Sequence, residues 1–296
     1  MRIGVSSYSF SRLVRAGQMI QFEAIAKAAE MGFAFIEFAG LDVPEGEDKA
    51  DYARRLKAEC ARVGIGVGNY TIGADFLNGS NGDLAAEVER LKAEVDIAVI
   101  LGAPGMRHDV SSGKRLDPAA PRLSRAPAES FDAVLPQLAK GARAVTEYAA
   151  TKGIRTMSEN HGFFAQDSER VEKLITAVDH PNYGVLIDMG NFLCVDEDPA
   201  KAVGRLAPYA FHLHAKDFHV KSGQEPDPGE GWFASRARNR LRGAIIGHGA
   251  VPVRPCLQIM KQAGYSGDVA IEFEGLEDPI LGMRIGLKNL TAYLAD

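Results

Sequence analysis

A chain of 296 residues, 46% hydrophobic and 25% charged, is ordinary globular material, long enough for one large barrel or two modest domains. Its 34 basic and 39 acidic residues leave a net charge of −5 with no long run of either sign, which argues against a dedicated polyanion binder and so against a nucleic-acid partner. Cys60, Cys194 and Cys256 are odd in number, far apart and in no CxxC pair, so a disulfide framework and a thiolate zinc site are both unexpected and a reducing, cytoplasmic setting is expected.

In chain order, a first strand over Arg2–Val5 enters directly, without the apolar core of a signal peptide, and leads through Ser6-Ser7-Tyr8 to a helix near Gln18–Met31 that Gly32 ends. Nowhere is an apolar run long enough to cross a bilayer, so no membrane partner is expected. The second strand, Phe33–Phe38, puts Phe33, Phe35 and Glu37 on one face, with Glu37 either a pocket wall or a rim salt bridge. A helix over Lys49–Val63, the breaker Gly64 and a third strand over Ile65–Tyr70 follow. Asp83 is placed to cap the next helix, where Leu84, Val88, Leu91, Val95 and Val99 form an apolar stripe. The fourth strand, Ala103–His108, contains Pro and Gly, and the Ser/Gly/Pro/Arg-rich stretch Asp109–Glu129 reads as a long loop.

After a helix over Ser130–Thr151 the rhythm is regular. Strands end at Glu159, Asp188 and His214, with helices over Ser168–Val178 and from Asp198-Pro199 between them. A Gly/Pro/charge-rich insertion at about 218–249 carries Trp232, the only tryptophan. A helix over Val251–Gly264, an eighth strand over Asp268–Glu274 and a last helix from Asp278-Pro279 complete the chain, the last striped by Ile280, Met283, Leu287, Leu290 and Leu294. Eight strands alternating with eight helices predict a single-domain α/β protein, a (β/α)8 TIM barrel over 1–296 with the insertion between strand 7 and helix 7.

Four strands deliver ionisable residues to the carboxyl ends, the active face of such a barrel: Glu159, Asp188, His214 and Glu272. The first three follow at close to the ~30 residues of one β/α unit. The interval to Glu272 is about twice that, room for one unit and the insertion. Three clustered carboxylates would raise one another's pKa unless a cation neutralised them. One divalent metal ion answers this, and oxygen-rich ligation with a single imidazole suits manganese first, then magnesium, cobalt or iron(II). Such an ion, with positions left open, stabilises the enediolate formed when a proton leaves the carbon beside a carbonyl, and Glu159 and Glu272 could pass that proton as base and acid. Tyr8, His108, Asn191 and Lys216 are the candidates for substrate contact, with the insertion around Trp232 beside them. His212 lies deeper than His214, in the hydrogen-bonded core, and Glu274 either caps the loop or supports a ligand.

The segments Glu159-Asn-His-Gly, Asp188-Met-Gly-Asn, His214-Ala-Lys-Asp, Gly247-His-Gly and Gly264-Tyr-Ser-Gly-Asp-Val-Ala-Ile-Glu272-Phe-Glu-Gly together resemble the xylose-isomerase-like TIM barrel superfamily of sugar phosphate isomerases and epimerases. That superfamily includes ketose 3-epimerases, hydroxypyruvate isomerases, inosose dehydratases and abasic-site nucleases. The resemblance implies that Glu159, Asp188, His214 and Glu272 hold the metal and that the two glutamates double as acid and base. Departures narrow it. Asn191 stands where ketose 3-epimerases carry a histidine, Val220 where they carry an arginine, and Leu241-Arg-Gly243 where the nucleases carry Asp-x-His. The expected function is a metal-dependent isomerase or epimerase of a small sugar or sugar-derived carbonyl compound, with a dehydratase of the same superfamily or a non-catalytic sugar-binding barrel as alternatives. Self-association into a homo-oligomer is left open.

Overall fold

Local chemistry sets the unit boundaries. Asp48, Asp83, Ser130 and Asp198 each accept a backbone N–H of the following helix, Pro199 occupies the first turn after Asp198, and the left-handed Gly64 and Gly102 end two helices. In the computed structural model of this chain, which describes residues 1–113 and 130–295, these units are β1 (Ile3–Ser6), α1 (Ser11–Arg15), α2 (Gln21–Glu30), β2 (Phe35–Ala39), α3 (Lys49–Val63), β3 (Gly66–Ile72), α4 (Leu84–Leu101) and β4 (Gly105–His108). They continue with α5 (Phe131–Thr151), β5 (Arg155–Glu159), α6 (Ser168–Val178), β6 (Tyr183–Asp188), α7 (Pro199–Leu206) and β7 (Ala210–Ala215). Then come β8 (Asp217–Lys221), β9 (Phe233–Ala234), β10 (Arg240–Ala244), α8 (Val253–Gln262), β11 (Val269–Ile271) and α9 (Pro279–Ala295).

Strands β1 to β7 and β11 close into a parallel barrel in the order β1-β11-β7-β6-β5-β4-β3-β2. It is a TIM barrel, with helices outside. Strands β8, β10 and β9 form a separate antiparallel sheet, in which Leu241 pairs with both Val220 and Phe233. The aliphatic and aromatic core runs from the strands to the inner faces of the helices, and Phe10, Phe38, Tyr70, Phe76, Phe192 and Phe218 are fully buried in it. Among the described residues no helix is long and apolar enough to cross a membrane.

Some boundaries differ from expectation. The second helix starts at Gln21, not Gln18, because Glu23 accepts the Ile20 N–H at 2.9 Å and caps it there. Ahead of it, a 3-10 turn over Ser7–Phe10 and the short α1 occupy what reads in sequence as a link. On α4, Val99 is 40% exposed. The buried stripe steps from Val95 to Ala98 and Leu101, as a 3.6-residue period requires. Glu87 is buried on the same helix. It accepts N–H and O–H bonds from Asp75 and Ser80 and pairs with Arg90 at 2.7 Å, which holds its carboxyl below the usual range although burial alone would raise it. Residues 114–129 of the loop expected over Asp109–Glu129 lie outside the described residues.

All three cysteines are buried, and burial pushes each thiol up to about 12. At pH 8 the thiolate fraction is therefore negligible. Iodoacetamide should leave the native chain unmodified and add three groups in denaturant, as read by intact mass. A thiol labelled faster than the chain unfolds would contradict this burial.

Candidate active site

The barrel register assembles the rim. Asp188 and His214 are partners across β6 and β7, Ser6 and Glu37 across β1 and β2, and Glu272 follows Ile271, which pairs with Ala215. Asn160, just beyond β5, locks this edge by exchanging two bonds with the Asp188 backbone, at 2.8 and 2.9 Å. Oδ1 of Asp188 then builds the turn by accepting the Gly190 and Asn191 N–H groups. Its other oxygen, Oδ2, is buried with no hydrogen-bond partner.

Glu159, Asp188, His214 and Glu272 each present one ligand atom to this place, and the four atoms lie within 4.8 Å of one another. His214 turns Nε2 toward Glu37, at 2.7 Å, and Nδ1 toward Asp188 Oδ2 and Glu272 Oε1, at 3.9 and 3.8 Å. That Nδ1 is also buried and unpartnered. Glu159 is gripped from both sides, Oε2 by the Arg107 guanidinium at 2.5 Å and Oε1 by the Asn191 amide at 2.9 Å. Lys216 Nζ lies 2.5 Å from Glu272 Oε2, 3.4 Å from Asp188 Oδ2 and 3.9 Å from Glu274 Oε2, and donates to Asn191 Oδ1 at 3.3 Å.

Charge is unevenly shared. Burial pushes the Asp188 carboxyl up, whereas Lys216 and then His214 hold Glu272 down against its own burial. Burial also opposes an imidazolium at His214, yet Glu37 and then Glu272 push that ring up to about 9. With acids on every side despite its burial, Lys216 is raised well above the ordinary lysine range. A divalent ion fits this donor set, since three carboxylates and one imidazole converge and two of their inward atoms, Asp188 Oδ2 and His214 Nδ1, make no hydrogen bond.

Above the cluster opens a cavity of about 510 Å³, of a size for a small polyhydroxy compound, walled by Tyr8, Tyr70, Arg107, His161 and Lys216 among others. Tyr8 and Lys216, two of the residues expected to contact substrate, thus lie on the wall of this cavity. Asn191 is buried behind, bridging Glu159 and Lys216. His108 is not brought to the cavity. Strand alternation gives the mouth to Arg107, and the His108 ring is packed edge-on to Phe76 with Nδ1 2.7 Å from the Asp109 carbonyl. Burial pushes its pKa down to about 4. Glu37 is neither pocket wall nor rim salt bridge but fully buried between His212 and His214. Trp232 does not line this cavity and packs under the Arg242 and Lys221 side chains on the outer sheet.

Sequence reading passed over Arg107, Asp109 and His161. Arg107 reaches Asp109 at 3.0 Å as well as Glu159, and His161 meets the same Asp109 oxygen at 3.0 Å. An arginine inside an otherwise buried strand was the available signal, because such a charge is kept only with partners. Asp217 explains why His214-Ala-Lys-Asp and Gly247-His-Gly occur together. Its Oδ1 accepts the Phe218 and Val251 N–H groups and its Oδ2 those of Gly247 and Gly249, at 2.8 to 3.0 Å. A Cβ on Gly249 would stand 2.2 Å from Oδ1, so only glycine lets the loop come this close.

A closed barrel with an acidic, histidine-bearing cluster at its carboxyl rim defines the class. Residues 25–293 match the family model for the xylose isomerase-like TIM barrel, and the chain belongs to that family. Over 144 residues it is 24% identical to the inosose dehydratase of Lacticaseibacillus casei, a match covering 48% of this chain and 47% of that protein. The chain thus spans about half the length of this curated relative. Among solved structures, the D-allulose 3-epimerase from Methylomonas sp. in complex with D-allulose is 17% identical, with a TM-score of 0.71 over 99% of this chain and 97% of that one. A xylose isomerase-like TIM barrel protein from Mycobacterium smegmatis in complex with magnesium is 16% identical, with a TM-score of 0.71 over the same shares. These two likenesses are likenesses of fold.

Proposed function

We propose that this chain is a divalent-metal-dependent isomerase or epimerase that moves a proton at the carbon beside a carbonyl group in a small polyhydroxy compound. The observation that carries this reading is the convergence of Glu159, Asp188, His214 and Glu272, with Asp188 Oδ2 and His214 Nδ1 making no hydrogen bond. These four side chains would hold the ion, with manganese first and magnesium, cobalt or iron(II) as alternatives. When bound, the ion supplies electrostatic stabilisation of oxyanion charge on the substrate. Glu272, whose Oε1 is the oxygen not engaged by Lys216, is suited to take the proton, and Glu159 to serve from the neighbouring side of the cluster. Arg107 and Asn191 fix Glu159 in place, and Tyr8 and Lys216 orient the substrate hydroxyls. The magnesium complex and the D-allulose complex on the same fold support this reading.

One observation favours a second reaction. The Lys216 ammonium sits between Glu272 and Glu274 at the cavity wall, where it could hand a proton to a departing hydroxyl. Proton loss from one carbon and loss of that hydroxyl as water from the next would make a dehydratase, the activity named for the L. casei relative. Incubation of the metal-loaded protein with ketoses and inososes in deuterated water separates the two. An isomerase or epimerase returns a product of unchanged formula carrying one deuterium, and a dehydratase a product lighter by one water. Absence of both across the panel would remove proton transfer as the activity.

A further inference from the structure

Glu37 on β2 is 0% exposed, and its carboxylate contacts two imidazoles at once. Oε2 lies 2.7 Å from His214 Nε2, and Oε1 lies 2.7 Å from His212 Nε2 and 3.2 Å from Asn69 Nδ2. The space for it is built into β3, where a Cβ on Gly68 would stand 2.7 Å from Glu37 Cγ. Burying a carboxylate costs several kcal/mol (roughly, after relaxation) unless it is paired, so a glutamate walled in beneath the rim needs its partners. Glu37, His212 and His214 also have the donor count for an ion of their own. Nitrogens 2.7 Å from the carboxylate oxygens leave no room for one between them.

The pairing has a directional consequence. A ring nitrogen in hydrogen-bond contact with a carboxylate keeps its proton, so it is the other nitrogen that gives its proton up and becomes the acceptor when an ion arrives. On His214 that other nitrogen is Nδ1, the unpartnered atom facing Asp188 and Glu272. We infer that Glu37 is a positioning residue that keeps the proton on His214 Nε2 and so commits Nδ1 to the metal ion, an inference that rests on the metal-binding reading above. Asn69 donates to the other carboxylate oxygen at 3.2 Å and His212 packs against that oxygen at 2.7 Å, which together keep Glu37 from rotating away. Glu37 thus acts through His214 and touches neither ion nor substrate. Such supporting carboxylates are typically worth about 10- to 100-fold in metal affinity.

The test uses cadmium-113 as the divalent probe and chain labelled with nitrogen-15 in its histidines. In the loaded wild type, the His214 ring, assigned by its loss in His214→Asn, should show cadmium coupling on Nδ1 and a protonated Nε2. Glu37→Gln, folded by circular dichroism, should bind cadmium and manganese about 10- to 100-fold more weakly. Glu37→Asp, which keeps the charge, should recover part of that loss. Coupling on Nε2, or Glu37→Gln affinities within twofold of wild type, would overturn the inference while leaving the metal site standing. Failure of the wild type to bind either ion in equilibrium dialysis would bring down the metal-binding reading, and this inference with it. If Glu37→Gln does not fold, the wild-type spectrum still decides.

Discussion

Glu272→Gln, brought to metal saturation and assayed on whichever substrate the product screen identifies, should turn over about 10²–10⁴-fold more slowly than the parent chain while remaining folded. The amide is nearly isosteric, and Lys216 keeps Asp188 and Glu274 as acidic neighbours, so the barrel has little reason to fail. What disappears is a carboxylate at the meeting point of the Lys216 ammonium and His214 Nδ1, the only member of the cluster on β11's end. Metal affinity will fall too, since Glu272 is one of the four proposed ligands. Rates must therefore be taken on the plateau of a metal titration. Full turnover on that plateau would exclude Glu272 as the proton carrier, and deuterium uptake persisting at the wild-type rate would say the same without any product assay.

A second large effect is expected away from the chemistry. Asp217→Ala should lower the free energy of unfolding by about 2–5 kcal/mol, because four backbone N–H groups, those of Phe218 and Val251 buried and those of Gly247 and Gly249 half-buried, lose one shared acceptor. Asp217→Asn should fall between, since an amide can accept through only one of the two positions and sets an N–H against N–H at the other. Urea unfolding monitored by fluorescence of Trp232 and by circular dichroism measures both. A loss under 1 kcal/mol in the alanine variant would show that the loop from Gly247 to Val251 finds other partners.

The alternation of strands and helices, the caps at Asp83 and Asp198, and the strand ends at Glu159, Asp188 and His214 were legible because each rests on local periodicity or on a residue type with few uses. Glu37 was not. Its meaning depends on His212 and His214, which lie far along the chain, and no spacing rule connects them. The choice between Arg107 and His108 was equally hidden, since it turns on which of two adjacent residues in a four-residue strand faces inward. The small outer sheet was hidden for another reason. Its pairing of Phe218 with Gly243 spans a stretch whose Gly and Pro content reads as loop, and only the backbone partners reveal strands there. The weight of Lys216 was hidden as well, because Asp188, Glu272 and Glu274 surround it only once three strands are brought side by side.

Barrel closure has a temporal consequence. Ile3, Gly4 and Val5 pair with Val269, Ala270 and Ile271, and Ser6 Oγ donates to Glu272 at 3.5 Å. The fourth proposed ligand is therefore delivered by the last strand of the barrel to be synthesised, and that strand docks against the barrel's first. A nascent chain that has emerged only through β7 holds three of the four and has no closed wall to carry them. An ion of the kind proposed would then be captured poorly during synthesis, and its binding energy would be added only to the completed barrel. An ion seated at this rim would hold together the first and last strands of the barrel, and removing it should loosen the seam between β1 and β11 first.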